Sequence, residues 1–209
     1  MRLSTRVSCA DFPCGDVNHV RHEIGGGNIE PGRVRMVVVA EAPAPDAADG
    51  LFARGLPFHL ETTLDAFRAA GLPADSRREL EAHGVYLTTA IKCAKAGYGV
   101  GRPTVEACSH LLEKELDLFP AARVIMLMGD VAIGAFNAIA RRRTGKRAIP
   151  AGPTWRVRGG EYWFEGKRVF PSYLQTGRSY LIERSKREMI AADLRAALAT
   201  WRGERQPSG

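Results

Sequence analysis

The stretch VRMVVVAEAP, residues 34–43, decides the fold. Its short run of apolar and β-branched residues is bounded by turn formers, which predicts a strand buried on both faces of a sheet. Pro43 and Pro45 end the strand, because proline has no N–H to donate to a neighbouring strand. We therefore expect Glu41 at the carboxyl end of a central strand, which is where open α/β sheets bind their ligands.

Similar patterns along the chain predict strands that alternate with helices. Further strands are expected at residues 85–91, 123–128 and 168–170, and helices near residues 60–67, 104–116, 130–139 and 182–201. Thr104 is predicted to cap the second helix, and residues 155–157 and 162–164 are predicted to pair as a hairpin. This alternation predicts an α/β fold: a three-layer α/β/α sandwich with a short central parallel sheet.

The length and composition predict one domain over residues 1–209. A chain of 209 residues with 45% hydrophobic content can bury one core. Residues 1–32 are predicted to be irregular and residues 203–209 to be frayed. The sequence shows neither an apolar signal-peptide core at its start nor a window as long as a membrane span. We therefore expect a cytoplasmic monomer without membrane association.

The charge is concentrated in one part of the chain. The formal net charge is +7 and the isoelectric point is near 9.5. Residues 141–187 contain thirteen Lys or Arg against three acids. Such a surface favours a polyanionic partner such as DNA. The alternative is an ordinary solvated basic face, above all at the arginine run 141–143.

Four cysteines, Cys9, Cys14, Cys93 and Cys108, form a C-x4-C pair and a C-x14-C pair. Without a secretory signal, disulfides are the poorer explanation. Zinc sites usually use tighter cysteine pairs than the second one here. An iron–sulfur cluster bound by four thiolates suits the wider spacing, and four unrelated buried thiols remain the alternative.

Four short motifs follow one another along the chain: AEAP at residues 40–43, GLPF at 55–58, VYLTTAIKC at 85–93 and PSYL at 171–174. Together with the cysteines they resemble the iron–sulfur uracil-DNA glycosylases, the thermostable prokaryotic, family 4-like type within the uracil-DNA glycosylase superfamily. The resemblance spans nearly the whole chain. It implies that fold and a role in base-excision repair of DNA, in which an enzyme flips a deaminated base out of the helix and hydrolyses its N-glycosidic bond.

The resemblance also implies a role for each matching residue. Glu41 would stabilise the cationic sugar or orient the attacking water. Phe58 would stack on the flipped base, which lies in a pocket. The other pocket residues would be Ala42, Thr89 and Phe170. The residues in contact with DNA would be Ser172, Tyr173, Leu174 and Arg178. A structural [4Fe–4S] cluster would be ligated by Cys9, Cys14, Cys93 and Cys108.

Three positions depart from the family pattern. Thr89 replaces the asparagine that reads the pyrimidine edge, Phe170 replaces a histidine that donates to the departing base, and Ala44 replaces a glycine. These changes predict weak activity or an altered base choice, with uracil, hypoxanthine and xanthine as candidates. Two alternatives remain: a protein that binds DNA or a lesion without cutting it, and an iron–sulfur protein that senses redox state.

Overall fold

The computed structural model describes residues 3–25, 29–97, 99–174 and 183–203. Its central sheet has five strands in the order β3-β2-β5-β7-β6, of which the first four are parallel and β6 is an antiparallel strand at one edge. The strands of this sheet are β2 Met36–Ala40, β3 Val85–Thr89, β5 Val124–Met128, β6 Tyr162–Phe164 and β7 Lys167–Ser172. A separate two-stranded antiparallel sheet pairs β1 Val17–His22 with β4 Cys93–Lys95.

Helices cover both faces of the central sheet. They are α1 Phe58–Ala69, α2 Arg77–Ala82, α3 Arg102–Leu116, α4 Asp130–Thr144, α5 Thr154–Val157 and α6 Arg184–Arg202. Apolar residues of α1 and α6 pack on one face, and those of α3 and α4 pack on the other. The predicted three-layer α/β/α sandwich is confirmed.

The β2 strand shows why this sequence needs cover on both sides. All five of its residues are buried. Val37 and Val39 belong to the core beneath α3 and α4, whereas Met36 and Val38 belong to the core beneath α1 and α6. Because successive side chains point to opposite faces, a strand that is apolar at every position is stable only between two layers.

Three local predictions differ from the structure. The segment 1–32 is not wholly irregular, because β1 lies within it. Residues 155–157 are helical after Pro153, so β6 pairs with β7 instead, through a turn in which Glu165 and Gly166 have positive φ values of 48° and 75°. The N-cap of α3 is Gly101, since the Thr104 hydroxyl is occupied in donating to Asp16.

The arginine run in the last turn of α4 is largely neutralised. Arg142 donates to Glu106 and Glu113, and Arg143 donates to Asp117 and Glu113. These pairs fasten α4 to α3, so this part of the basic stretch serves the fold. Within the described ranges, the structure contains no helix of sufficient length and apolar character to cross a membrane.

Candidate functional site

Glu41 directly follows β2, at the carboxyl edge of the sheet, which is formed by the carboxyl ends of the parallel strands. Its backbone carbonyl accepts a hydrogen bond from the Ile91 N–H at 2.8 Å, which ties it to the end of β3. Its carboxylate Oε2 accepts from Lys95 Nζ at 2.7 Å. The Glu41 and Lys95 side chains are 15% and 19% exposed, so the pair is largely shielded but still reachable from solvent.

Gly129 gives this carboxylate its space. It has a φ of +97° and lies between β5 and α4. A Cβ atom placed there would lie 2.7 Å from Glu41 Oε1 and 3.2 Å from the Cβ of Leu174. The structure therefore brings two of the four motifs together: AEAP, which contains Glu41, and PSYL, which contains Leu174. The end of β5, the strand between β2 and β7, separates them.

The four predicted base-pocket residues lie at different depths. Phe58 is half-buried at the first position of α1, after Pro57. Phe170 is buried in β7, with the Arg168 guanidinium 4.6 Å from its ring centre. Thr89 is fully buried at the end of β3, and its hydroxyl has no hydrogen-bond partner among the described residues. Ala42 is also buried, but it packs with the cysteines.

The predicted DNA-contacting residues divide into two groups. Ser172 is fully buried, and its hydroxyl donates to Asp193 Oδ2 at 2.7 Å, so its side chain is engaged inside the protein. Burial raises the pKa of the Asp193 carboxyl above its ordinary value. Tyr173 and Leu174 are half-buried at the end of β7, and the Lys186 amine lies 5.5 Å from the centre of the Tyr173 ring. Arg178 lies outside the described residues.

The four cysteines converge. Cys14, Cys93 and Cys108 are buried in one apolar cluster, Cys9 is half-buried, and all four thiols are free. Cys14 and Cys108 are hydrogen-bonded, and each of the other three thiols acts electrostatically on Cys93. Burial raises the pKa of the Cys93 thiol to about 12 and that of Cys108 to about 11. A metal or cluster would have to displace these protons on binding.

Four thiols around one region are the donor set that an iron–sulfur cluster uses. In the ranges described, no group of three Cys, His, Asp or Glu side chains has the close spacing that one ion requires. Cys9, Cys14 and Cys108 nevertheless all lie close enough to Cys93 to act on its thiol electrostatically. A four-iron cluster is larger than an ion and keeps its four thiolates farther apart.

A buried ion pair beside the thiols was missed in the sequence. Lys92 Nζ lies 2.5 Å from Glu115 Oε2, and both side chains are completely buried. Glu115 also accepts hydrogen bonds from Tyr86 and Thr88, at 2.5 and 2.9 Å. Burial and the Glu115 charge hold the pKa of Tyr86 well above its ordinary value, which keeps it a donor. Lys92 stands in the motif VYLTTAIKC, but its partner Glu115 lies 23 residues away on α3, so the sequence gives no local signal of the pair.

His59, the second residue of α1, was also not singled out. It is 4% exposed, and its Nε2 atom has no hydrogen-bond partner in the described part of the chain. Burial lowers the pKa of this imidazole to about 4. His59 is therefore neutral at pH 7.

The chain is similar in sequence to known uracil-DNA glycosylases. The family model described as "Uracil DNA glycosylase superfamily" matches residues 27–197. The Type-5 uracil-DNA glycosylase of Thermus thermophilus is 34% identical over 110 residues, which are 51% of this chain and 48% of that protein. The wild-type UNG crystal structure from Nitratifractor salsuginis aligns with a TM-score of 0.41 and 13% identity, over 79% of this chain and 74% of that one. On the family match, which spans most of its length, the chain belongs to the uracil DNA glycosylase superfamily.

Proposed function

We propose that this chain is a DNA glycosylase that hydrolyses the N-glycosidic bond of a flipped, deaminated base. The observation that carries the proposal is the Glu41 carboxylate at the carboxyl edge of the sheet, beside Gly129 and Leu174. A carboxylate fixed there can stabilise the cationic sugar or orient water. The Thermus relative is named for uracil, but the match spans only about half of that protein, so the substrate belongs to this proposal.

We propose that Thr89 reads the base and that Phe58 stacks on it. A buried hydroxyl without a partner costs free energy, and a ligand or an ordered water that pairs with it removes this cost. The hydroxyl both donates and accepts, so it can pair with the carbonyl or the N–H of uracil, hypoxanthine or xanthine. It cannot make the two simultaneous bonds of an amide. This predicts weaker discrimination among deaminated bases than an asparagine would give.

The DNA backbone would lie along the carboxyl edge and in a cationic groove. That groove lies between α1 and α6 and is lined by Arg68, Arg184, Arg187 and Arg195, together with Asp65 and Glu188. Phosphate contacts of this kind position the duplex, whereas the base pocket selects the lesion. Tyr173 and Leu174 would enter the duplex near the flipped base. A cytoplasmic monomer remains our expectation.

We propose that Cys9, Cys14, Cys93 and Cys108 hold a [4Fe–4S] cluster with a structural role. Such a group would join the N-terminal segment to β4 and α3, close to Ala42 and so to the Glu41 backbone. Anaerobically purified protein should be brown and absorb at about 400 nm. Cys108→Ser should lose this absorbance, whereas a colourless wild type after iron and sulfide reconstitution would contradict the cluster.

The function is tested with oligonucleotides that carry uracil, hypoxanthine or xanthine, in single and double strands. Alkali treatment should reveal strand breaks with the wild type, and Glu41→Ala should abolish them. Glu30→Ala is the matched control, because Glu30 is exposed and its ion pair with Arg33 lies at the surface. Absence of cleavage on all three bases would contradict a glycosylase.

A second candidate function is the recognition of DNA lesions without excision. The buried Phe170 favours it, because a phenyl ring offers no donor to a departing base. In that case the same oligonucleotides would be bound in a salt-dependent way, with a preference for the lesion, and none would be cleaved.

A further inference from the structure

The Glu41 carboxylate has a cationic neighbour on the two-stranded sheet of β1 and β4. Lys95 ends β4, pairs with Val17 of β1, and extends its amine to within 2.7 Å of Glu41 Oε2. The two residues are 54 positions apart in sequence. Lys95 lies outside the four sequence motifs, so the fold alone brings this amine to the site.

The chemistry requires a group that the motif residues do not supply. When the bond between the sugar C1′ and the base nitrogen breaks, its electron pair leaves with the base, which departs as an anion. A water oxygen then bonds to C1′, and the water proton passes to the Glu41 carboxylate and from there to solvent. A positive group beside the departing base lowers the barrier to the first of these steps.

The buried cation on β7 is not free to act. The Arg168 guanidinium is 7% exposed and donates to the backbone carbonyls of Gly160 and Tyr162 at 3.2 and 3.1 Å. Its face lies against the Phe170 ring. The Lys95 amine, by contrast, contacts the Glu41 carboxylate at the carboxyl edge and carries three donors, of which this contact occupies one.

We propose that Lys95 stabilises the departing base anion, in the role that Phe170 cannot perform. This inference rests on the proposed function. The ammonium is already held 2.7 Å from Glu41 Oε2, so it needs only to shift from Glu41 towards the base as negative charge develops there. Glu41 and Lys95 then act on opposite charges of one transition state: the carboxylate on the cationic sugar and the ammonium on the anionic base.

The test uses leaving-group dependence, which separates this role from one of merely holding Glu41. Single-turnover excision of uracil and of 5-fluorouracil is measured for the wild type, Lys95→Met and Lys95→Gln. 5-Fluorouracil departs as a more stable anion and so needs the cation less. We expect about 100-fold slower excision of uracil by both variants, and a loss for 5-fluorouracil at least about tenfold smaller. Lys146→Met, at an exposed lysine, should change neither rate.

The ratio of the two rates is internal to each preparation, so a partly folded variant loses both activities by the same factor. An equal loss for the two bases would show that Lys95 only positions Glu41 and would overturn the inference. Unchanged rates in both variants would also overturn it. A wild type that excises neither base overturns it as well, and the three-base screen decides separately whether the glycosylase function fails.

Discussion

Thr88 and Thr89 are consecutive in β3, yet their hydroxyl groups lie in opposite environments. Thr88 Oγ1 donates to Glu115 at 2.9 Å and accepts from Lys92 at 2.8 Å. Thr89 Oγ1 has no partner among the described residues, although it is equally buried. Successive side chains of a strand point to opposite faces of the sheet. The Thr88 hydroxyl therefore lies in the ion-pair network beneath α3, and the Thr89 side chain points towards the face covered by α1.

Replacement of each threonine by valine should therefore have opposite effects on stability. Thr89→Val removes an unpaired hydroxyl and should raise the free energy of unfolding by about 1 kcal/mol, while excision slows. Thr88→Val removes two hydrogen bonds from a buried network and should lower the free energy of unfolding by about 2 kcal/mol. Urea unfolding and single-turnover excision measure both quantities. A Thr89→Val protein that is destabilised and fully active would show that the hydroxyl has a structural partner and no base to read.

Thr89→Asn should shift the base preference towards uracil. An amide offers a donor and an acceptor together, which matches the paired groups of a uracil edge. We expect the ratio of uracil to hypoxanthine excision to rise by about tenfold or more, the value of one well-formed additional hydrogen bond. Competition between the two substrates in one reaction measures the ratio. An unchanged ratio would place base recognition elsewhere in the pocket.

The buried ion pair should matter far more than the surface ones. Glu115→Gln leaves the Lys92 ammonium without its counter-charge at a site with no solvent exposure, and should lower stability by about 3–5 kcal/mol. Glu188→Gln is the control, because Glu188 and its partner Arg184 are 64% and 84% exposed. Its loss should cost less than about 0.5 kcal/mol. Urea unfolding of both variants compares them.

His59 should make the fold sensitive to mild acid. Its folded-state pKa of about 4 lies below the ordinary value of 6.5, so between these values the unfolded chain binds the proton more tightly. The stability that His59 confers is complete above pH 6.5 and is lost as the pH falls towards 4, by as much as about 3 kcal/mol. His59→Leu should flatten this part of the profile of melting temperature against pH.

The exposed His83 supplies the control for this experiment. His83→Leu should keep the slope of the wild type between pH 6.5 and 4. If melting temperature falls with pH equally steeply in the wild type and in His59→Leu, the folded and the unfolded chain bind the His59 proton equally well, and the prediction is wrong.

The strands of the central sheet were predictable because their signal is local. Residues 36–40 are apolar at every position, and a proline follows shortly after. β1 was missed, since it interleaves polar residues and contains Val20, which is 95% exposed. It becomes a strand only by pairing with β4, and a tertiary partner of that kind leaves no periodic trace in the sequence.

The site was predictable to the extent that its motifs end strands. Glu41 and Thr89 lie at the carboxyl edge because β2 and β3 are parallel neighbours in register. The contact from Lys95 was not predictable, because it depends on how β4 turns back from the end of β3. Gly129 carried no signal either, since a glycine between a strand and a helix is ordinary and its closeness to Glu41 exists only in three dimensions.

That closeness constrains how two positions can change in the evolution of this chain. At the φ of +97° that position 129 adopts, any L side chain is strained, and its Cβ atom would also lie 2.7 Å from the Glu41 carboxylate. A shorter acid at position 41, aspartate, would relieve the contact but leave the backbone strain. We therefore expect glycine to persist at position 129 among descendants, whichever acid stands at position 41.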